Sequence, residues 1–272
     1  MELARPSLVT RQCLQETACG GMLKPNRESA DAMAFEPFDA AKTCIRRSRR
    51  LLRTCATNLA DPKVKNDLRR AALMMAVAGL DSYLHWLVYR RVSEVRVQGE
   101  LPKSFRKLEI PFFEVSSLVQ SLVASRRKGV ATRPWVKAKR LLQRRLLQET
   151  FQSYDEVSNA LALAGIKSPW KCIAAGMSST PDTIKNRLSS IVYRRNQIVH
   201  EGDIARASRP RRLKFNELTH ESIKADIEWI RDLVETIDDV VDRQMSAAKV
   251  SPRGGSDAHA ADEADGTTAG TS

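Results

Sequence analysis

The sequence predicts an all-α protein, folded as a single bundle of about six helices. Between residues 35 and 248, apolar residues recur at intervals of three and four, as on a helix that buries one face. No segment shows the clear alternation of apolar and polar residues that predicts a strand, and residues 92–97 come nearest to it. Proline, glycine and capping residues divide the periodic region at short intervals. These features favour packed helices joined by short loops.

The two ends of the chain lack this periodicity. Residues 1–34 combine proline and glycine with many small residues, and residues 249–272 are small, polar and acidic. Such segments bury too little apolar surface to fold on their own. We therefore expect a poorly ordered arm and a disordered tail around one helical domain, residues 35–248. Met22 and Met33 are alternative natural start residues.

The first two predicted helices differ in composition. The first covers residues 39–59, and its polar side is basic. The second covers residues 63–95 and is apolar on more than one side, which predicts a central position in the bundle. It contains Asp81, whose carboxylate must reach solvent or a hydrogen-bond donor. The arginines of the first helix are Arg46, Arg47, Arg49, Arg50 and Arg53.

The rest of the periodic region divides into shorter segments. We predict a loop at residues 167–179, because Pro169 interrupts the segment shortly after Gly165. Helix caps and apolar spacing set the other boundaries. The remaining predicted helices cover residues 111–127, 134–151, 154–164, 182–200 and 219–245.

The charge of the chain indicates a polyanionic partner. Lysine and arginine number 45 against 32 acidic residues, which gives a net charge of +13. An excess of this size favours nucleic acid over an anionic membrane surface. No run of eighteen apolar residues predicts a membrane span. A well-solvated basic surface without a specific partner is the alternative interpretation.

Cysteine and histidine usage gives little support for disulfides or metals. The five cysteines form an odd set without a Cys-x-x-Cys pair, which favours free thiols in a reducing compartment, and the first 21 residues lack the apolar core of a signal peptide. We therefore expect a cytoplasmic protein. The four histidines lie far apart, and none stands at ligand spacing to a cysteine or another histidine, so neither a metal nor a cofactor is expected.

A polar group stands at the end of the predicted helix 182–200. Arg195, Asn196 and His200 precede Gly202, which is a typical helix stop. Asn196 and His200 are four residues apart and share a helix face. A guanidinium binds two phosphate oxygens, an imidazole exchanges protons near neutral pH, and an amide orients its neighbours. The group therefore suits attack on a phosphate.

The nucleophile for such an attack is suggested by the absence of a metal-binding pattern. Without a metal, a hydroxyl of the substrate itself must attack, and RNA carries that hydroxyl at the 2′ position whereas DNA does not. The pattern alone is weak, because an arginine with a histidine five residues later is common. A structural histidine that interacts with the helix dipole is the alternative.

The wider sequence around this group resembles a known family. Residues 194–203 read Arg-Arg-Asn-Gln-Ile-Val-His-Glu-Gly-Asp. They resemble the signature helix end of the HEPN superfamily, an arginine and a histidine separated by four to six residues, commonly with asparagine, aspartate or histidine directly after the arginine. Residues 69–85 end in Leu-Asp-Ser-Tyr-Leu-His and resemble the corresponding helix of RiboL-PSP-type HEPN proteins. The resemblance extends over residues 40–246.

This resemblance implies a helical bundle that forms homodimers, with two Arg-His motifs meeting in one cleft. Many such proteins are endoribonucleases of toxin–antitoxin, phage-defence or RNA-processing systems. It implies metal-independent RNA cleavage that leaves a 2′,3′-cyclic phosphate, with Arg195 on the scissile phosphate, His200 as general base or acid, and Asn196 in an orienting role. RNA, a second copy, and an antitoxin or defence component are the expected partners.

The spacing of the motif gives a physical reason for a second copy. At about 100° per residue, Arg195 and His200 lie roughly 140° apart around one helix axis, so one protomer does not bring both directly onto one phosphate. Two other interpretations stay open: a non-catalytic RNA-binding or regulatory HEPN module, and a helical partner-binding protein. Whether Asp81 or Asp203 joins the site is also open.

Overall fold

The fold is all-α, as the sequence predicts. A computed structural model describes residues 36–57, 61–98, 103–129, 134–206 and 212–250. Within these ranges there are eight α-helices, one 3-10 helix and no strand; one isolated antiparallel bridge joins Ile204 and Phe215. The predicted arm, most of the predicted tail and the alternative start residues lie outside the described residues, so the predicted domain boundaries stay predictions.

The helices follow one another through short connections. A 3-10 helix, Lys103–Lys107, lies between the second and third of them. The predicted helix over residues 134–151 ends earlier than expected, at Leu146. The eight helices are α1 Pro37–Ala56, α2 Pro62–Gln98, α3 Phe112–Arg127, α4 Pro134–Leu146, α5 Tyr154–Leu163, α6 Pro169–Gly176, α7 Pro181–Glu201 and α8 His220–Val250.

The loop predicted at residues 167–179 is wrong, because this segment contains α6. Pro169 stands in the first turn of that helix, where the missing N–H has no helical partner to lose. Trp170 is buried, its indole Nε1 donates to Ser158 Oγ at 2.5 Å, and its ring stacks on Tyr154 at 4.0 Å between centroids. Proline is therefore a helix start here, and burial of the indole stabilises the short helix.

The long α2 is the centre of the bundle, as predicted from its apolar faces. It packs against α1, α4, α5, α7 and α8. By length and composition alone, Pro62–Glu94 is apolar enough to cross a membrane, and 56% of its most apolar stretch is buried inside the bundle, as in the core helix of a globular fold. Its fully buried side chains include Leu73, Leu80, Tyr83, Leu84 and Leu87.

The last helix, α8, supplies the other half of this core. The sequence predicts a helix over residues 219–245 from apolar residues at helical spacing, and every residue of this apolar stripe is buried. α8 packs against α1, α2 and α6. The members of the stripe are Ile223, Ile227, Ile230, Leu233, Val234, Ile237, Val240 and Val241.

Candidate functional site

Helix α7 carries the predicted site and is fixed at both ends. Thr180 is its N-cap, and its Oγ1 accepts from the Thr183 N–H at 3.2 Å. At the other end Gly202 adopts a left-handed conformation, with φ of +60°, and the Asp203 N–H returns to the Gln197 carbonyl at 2.9 Å. The helix therefore stops directly after His200 and Glu201.

Arg195 and Asn196 are linked to each other on α7. Both are half-buried, and Arg195 Nη1 donates to Asn196 Oδ1 at 3.0 Å. His200 is exposed at the end of the same helix, and within the described residues it forms no hydrogen bond with either of them. The structure thus brings Arg195 and Asn196 together and leaves the imidazole of His200 open to solvent. Asn196 is placed to orient the guanidinium.

The neighbouring Arg194 has a different environment. Its Nη2 donates to Asp203 Oδ2 and to the Glu217 carbonyl, each at 3.2 Å. Both Arg194 and Arg195 stand at a permitted distance from His200 in the HEPN motif, so spacing alone does not choose between them. Because Arg194 is bound to a buried carboxylate, Arg195 is the arginine that remains available to a substrate.

Asp203 is buried and stabilises the end of α7 next to the candidate site, where it cannot contact a substrate. Its side chain is 0% exposed and accepts from Arg70 Nε at 2.7 Å, from Arg194 Nη2 at 3.2 Å and from Asn216 Nδ2 at 3.1 Å. Two guanidinium groups compensate the buried charge, which would otherwise be costly. The carboxylate thereby ties the end of α7 to α2 and to the segment before α8.

The sequence did not reveal the partners of Asp203. Arg70 is 133 residues away along the chain, and Asn216 lies beyond the bridge between Ile204 and Phe215. The one local signal is the order Gly202-Asp203, since aspartate tolerates the left-handed region and Asp203 has φ of +59°. That signal indicates a turn and does not identify the arginines that the turn binds.

Asp81 serves a separate part of the fold. Its Oδ1 accepts from the Phe151 N–H at 2.6 Å and lies 3.6 Å from His85 Nε2. The His85 ring packs against the Phe151 ring with centroids 4.7 Å apart. The Asp81 carboxylate thus has a hydrogen-bond donor, as expected. The contact holds the connection between α4 and α5 against α2. None of these contacts involves Arg195 or His200.

Exposed aromatic side chains lie close to the motif, and the sequence reasoning missed them. Tyr193 is 65% exposed and occupies the helix face of His200, with Gln197 between them. Gln197 Nε2 donates to Tyr193 Oη at 3.4 Å. Phe215 is 60% exposed, and Arg70 Cζ lies 5.2 Å from its ring centroid. Exposed rings of this kind can stack on unpaired bases.

The titratable residues that the structure describes do not form a metal centre. Among the described residues, no group of three or more histidine, cysteine, aspartate or glutamate side chains is placed to hold a metal ion. Arg206 forms an ion pair with Glu201 at 2.5 Å at the edge of the site. The motif residues at this end of α7 supply a guanidinium, an amide and an imidazole.

Comparison with known proteins places the chain in a family. The family described as RiboL-PSP-HEPN matches residues 43–243, which is most of the chain. The chain therefore belongs to the RiboL-PSP-type HEPN family, and the resemblance noted from the motif is confirmed. No curated protein and no solved structure matches it. Family membership associates the chain with RNA-related functions, ribonuclease activity among them.

Proposed function

We propose that this protein is a metal-independent endoribonuclease that acts as a homodimer. One observation carries the proposal: of two adjacent arginines, Arg194 is bound to buried Asp203, whereas Arg195 is left at the surface and oriented by Asn196. His200 is exposed at the end of the same helix. A guanidinium and an open imidazole on one rigid element suit phosphate binding and proton transfer.

The reaction follows from these groups. Arg195 binds the non-bridging oxygens of the scissile phosphate and stabilises the charge that develops there. A neutral His200 imidazole accepts the proton of the 2′-hydroxyl, the 2′-oxygen bonds to phosphorus, and the bond from phosphorus to the 5′-oxygen breaks. That oxygen receives a proton from a protonated imidazole of the second copy. The products carry a 2′,3′-cyclic phosphate and a 5′-hydroxyl.

The second copy supplies what one helix lacks. Arg195 and His200 point about 140° apart around α7, at roughly 100° per residue. The exposed side of the helix includes Val199, which is 45% exposed. Two α7 helices that meet along this side would place two arginines and two histidines around one phosphate. Burial of Val199 would contribute to the contact.

We further propose a cytoplasmic protein restrained by an antitoxin or a defence-system component. Cys44, Cys55 and Cys172 are free thiols. Burial raises the pKa of the Cys44 and Cys55 thiols, which keeps them protonated and unreactive. Free, inert thiols suit a reducing compartment. A ribonuclease in the cytoplasm needs restraint, which is the reason for the proposed inhibitory partner.

The test uses purified protein and bulk RNA in the presence of EDTA. Wild-type protein should generate fragments whose 3′ phosphate resists phosphatase until acid opens the cyclic ester. His200→Ala and Arg195→Ala should each abolish cleavage while circular dichroism and dimer mass stay unchanged. Arg206→Ala is the matched control, because Arg206 is 80% exposed and pairs with Glu201.

Three outcomes would reject this proposal. Full cleavage by either motif variant would show that the activity does not depend on the motif. Salt-dependent RNA binding without new RNA ends would instead favour a non-catalytic RNA-binding HEPN module. Protein that neither cuts nor binds RNA at moderate salt would favour a helical partner-binding protein.

A further inference from the structure

A basic groove lies between α1 and the first half of α8, and none of the motif residues lines it. Its volume is about 600 Å³, and six lysine or arginine side chains line it against two glutamates. Its floor includes Ile45, Leu52 and Ile227, which are at most 4% exposed. These side chains form the base of the groove, and a charged rim borders it. The six cations are Lys42, Arg46, Arg49, Arg53, Lys224 and Arg231.

The negative charge in the groove is already neutralised from within. Arg49 Nε donates to Glu228 Oε1 at 2.8 Å, and Arg231 also pairs with Glu228. The same Arg49 contact lowers the pKa of the Glu228 carboxyl. Arg231 Nε also lies 3.8 Å from Glu235 Oε1. The two acids of the groove are thus held by two of its arginines.

Two cations of the groove are left without a counter-ion. Within the described residues, Arg46 and Arg53 form no side-chain hydrogen bond and no ion pair, and both are exposed. Lys224 is also exposed, and its charge helps to lower the pKa of the Glu228 carboxyl. The excess of cations around one groove produces a positive field that attracts a polyanion. The accessible surface of the groove is apolar as well as charged. A single-stranded nucleic acid fits both, because its phosphates pair with the cations and its bases can pack on the apolar surface.

The cations of α1 follow one line. Lys42, Arg46, Arg49 and Arg53 are four, three and four residues apart, so they share a helix face. At 1.5 Å per residue, this row is roughly 16 Å long. A row of that length can contact several successive phosphates of one strand, which a single cation cannot do.

The groove begins close to the candidate site. His220 lines the groove and stands four residues after Asn216, so the two Cα atoms are at most about 14 Å apart. Asn216 contacts Asp203, which follows the exposed end of α7. Between them, Arg69 Nη1 donates to the Leu218 carbonyl at 3.1 Å. One strand could therefore pass from the motif into the groove.

We propose that the α1/α8 groove is a second RNA-binding site, which holds a single-stranded flank of the RNA whose scissile phosphate lies at Arg195 and His200. The identity of the ligand as RNA rests on the proposed ribonuclease function. The site acts through Arg46, Arg53 and Lys224 by binding phosphates, and it takes no part in the chemistry. It makes binding depend on RNA length, because a short fragment at the motif does not reach the groove.

The test compares two double charge reversals on the same helix. Arg46→Glu/Arg53→Glu changes the groove. Arg47→Glu/Arg50→Glu is the matched control, because these two arginines are exposed on α1, form no ion pair within the described residues and lie outside the groove. Both variants change the net charge equally, so a difference between them reports position. Arg46→Gln/Arg53→Gln repeats the test if the reversal fails to fold.

The probe is a single-stranded 2′-O-methyl RNA of about 20 nucleotides, longer than one typical single-strand site. Its blocked 2′ position prevents cleavage, so fluorescence anisotropy in EDTA reports binding alone. The groove variant should bind about tenfold or more weakly and lose about one to two units of salt dependence, as expected for lost phosphate contacts. The control should change by less than about threefold, the effect of diffuse charge.

Other results overturn the inference. Equal losses in both variants would show a general effect of charge, and unchanged binding in the groove variant would show that the groove holds no RNA. Groove-dependent binding of polyglutamate together with groove-independent binding of RNA would assign the groove to an acidic protein. Each of these outcomes rejects the second RNA site.

Cleavage assays separate this inference from the ribonuclease proposal. If wild-type protein does not cut RNA but the groove variant selectively loses RNA binding, the ribonuclease proposal is rejected and the second RNA-binding site is supported. If wild-type protein cuts RNA and the groove variant binds RNA as the control does, the second RNA-binding site is rejected and the ribonuclease proposal is supported.

Discussion

Replacing Asp203 with asparagine tests whether the buried carboxylate holds the candidate site in place. Asp203→Asn keeps the shape of the side chain, and asparagine tolerates a φ of +59°. It removes the charge that faces Arg70 and Arg194, at 2.7 and 3.2 Å from Asp203 Oδ2. The change therefore isolates the electrostatic contribution of the cluster.

The size of the effect follows from burial. Asp203 is 0% exposed, while the side chains of Arg70 and Arg194 are 10% and 20% exposed. Removing one partner of a buried pair costs about 3–5 kcal/mol, because the remaining charge is left buried and uncompensated. The two arginines keep some contact with solvent, so we expect the lower end, about 3 kcal/mol of unfolding free energy.

The assay is urea unfolding followed by circular dichroism at one fixed protein concentration, because association contributes to apparent stability. The matched control is Asp226→Asn. Asp226 pairs with Arg187 at 2.7 Å, but the side chain of Arg187 is 43% exposed. A pair of this kind contributes less than about 1 kcal/mol. The two variants make the same chemical change in a pair that is almost fully buried and in a pair whose arginine is 43% exposed.

The reasoning would be refuted if the two variants lost the same amount of stability. A loss below about 1 kcal/mol for Asp203→Asn would also refute it, since a buried, uncompensated guanidinium pair cannot be that inexpensive. The slope of the unfolding free energy against urea concentration is also informative. A change in this slope, rather than in the midpoint, would indicate an altered unfolded or native state and would call for a second probe.

Three more predictions concern the site and the core. Mixed dimers of Arg195→Ala and His200→Ala subunits should regain part of the cleavage that each homodimer lacks, because a composite site draws one group from each subunit. Tyr193→Ala should raise KM for RNA about fivefold or more at unchanged kcat, as stacking contributes about 1–3 kcal/mol per base. Burial raises the pKa of the Asp238 carboxyl, which accepts from Tyr83 Oη at 3.0 Å. The stability that this carboxyl contributes when protonated is fully present below its unfolded pKa and is lost as pH rises through its folded pKa. Asp238→Asn should therefore melt above wild type at pH 7, with a difference that shrinks toward pH 3.8.

Each of these predictions has a result that contradicts it. Mixed dimers as inactive as the parent homodimers would argue against a composite site. Tyr193→Phe keeps the ring and should keep KM near the wild-type value; an increase equal to that of Tyr193→Ala would exclude stacking. A melting difference for Asp238→Asn that does not vary with pH would show that ionisation is not its cause.

The sequence predicted helices well where apolar spacing is regular. The predictions of a buried stripe on α8 and of a central position for α2 were both correct. The apolar residues of a helix show by their spacing whether it buries one face or several. The prediction from sequence was wrong at α6, where Pro169 was interpreted as a helix breaker. A proline gives the same local signal in a loop and in a first helical turn, and burial of Trp170 decides between them.

Apolar spacing also does not say whether a face is covered. α3 carries a regular apolar pattern, yet none of its residues is buried, and Phe112 and Phe113 are 85% and 79% exposed. A helix at the edge of a bundle has few neighbours, and the pattern within the helix does not report how many neighbours it has. Such exposure is visible only once the helices are packed.

The sequence by itself determined the fold class, the family and the three residues of the candidate site, because helix periodicity and the Arg-Asn-x-x-x-His motif are local patterns. Only the tertiary structure showed that the neighbouring Arg194 is bound to Asp203, which also accepts from Arg70. It also decided that α1 and α8 enclose a basic groove. Both results depend on residues far apart in the chain, whose proximity is created by packing of the core.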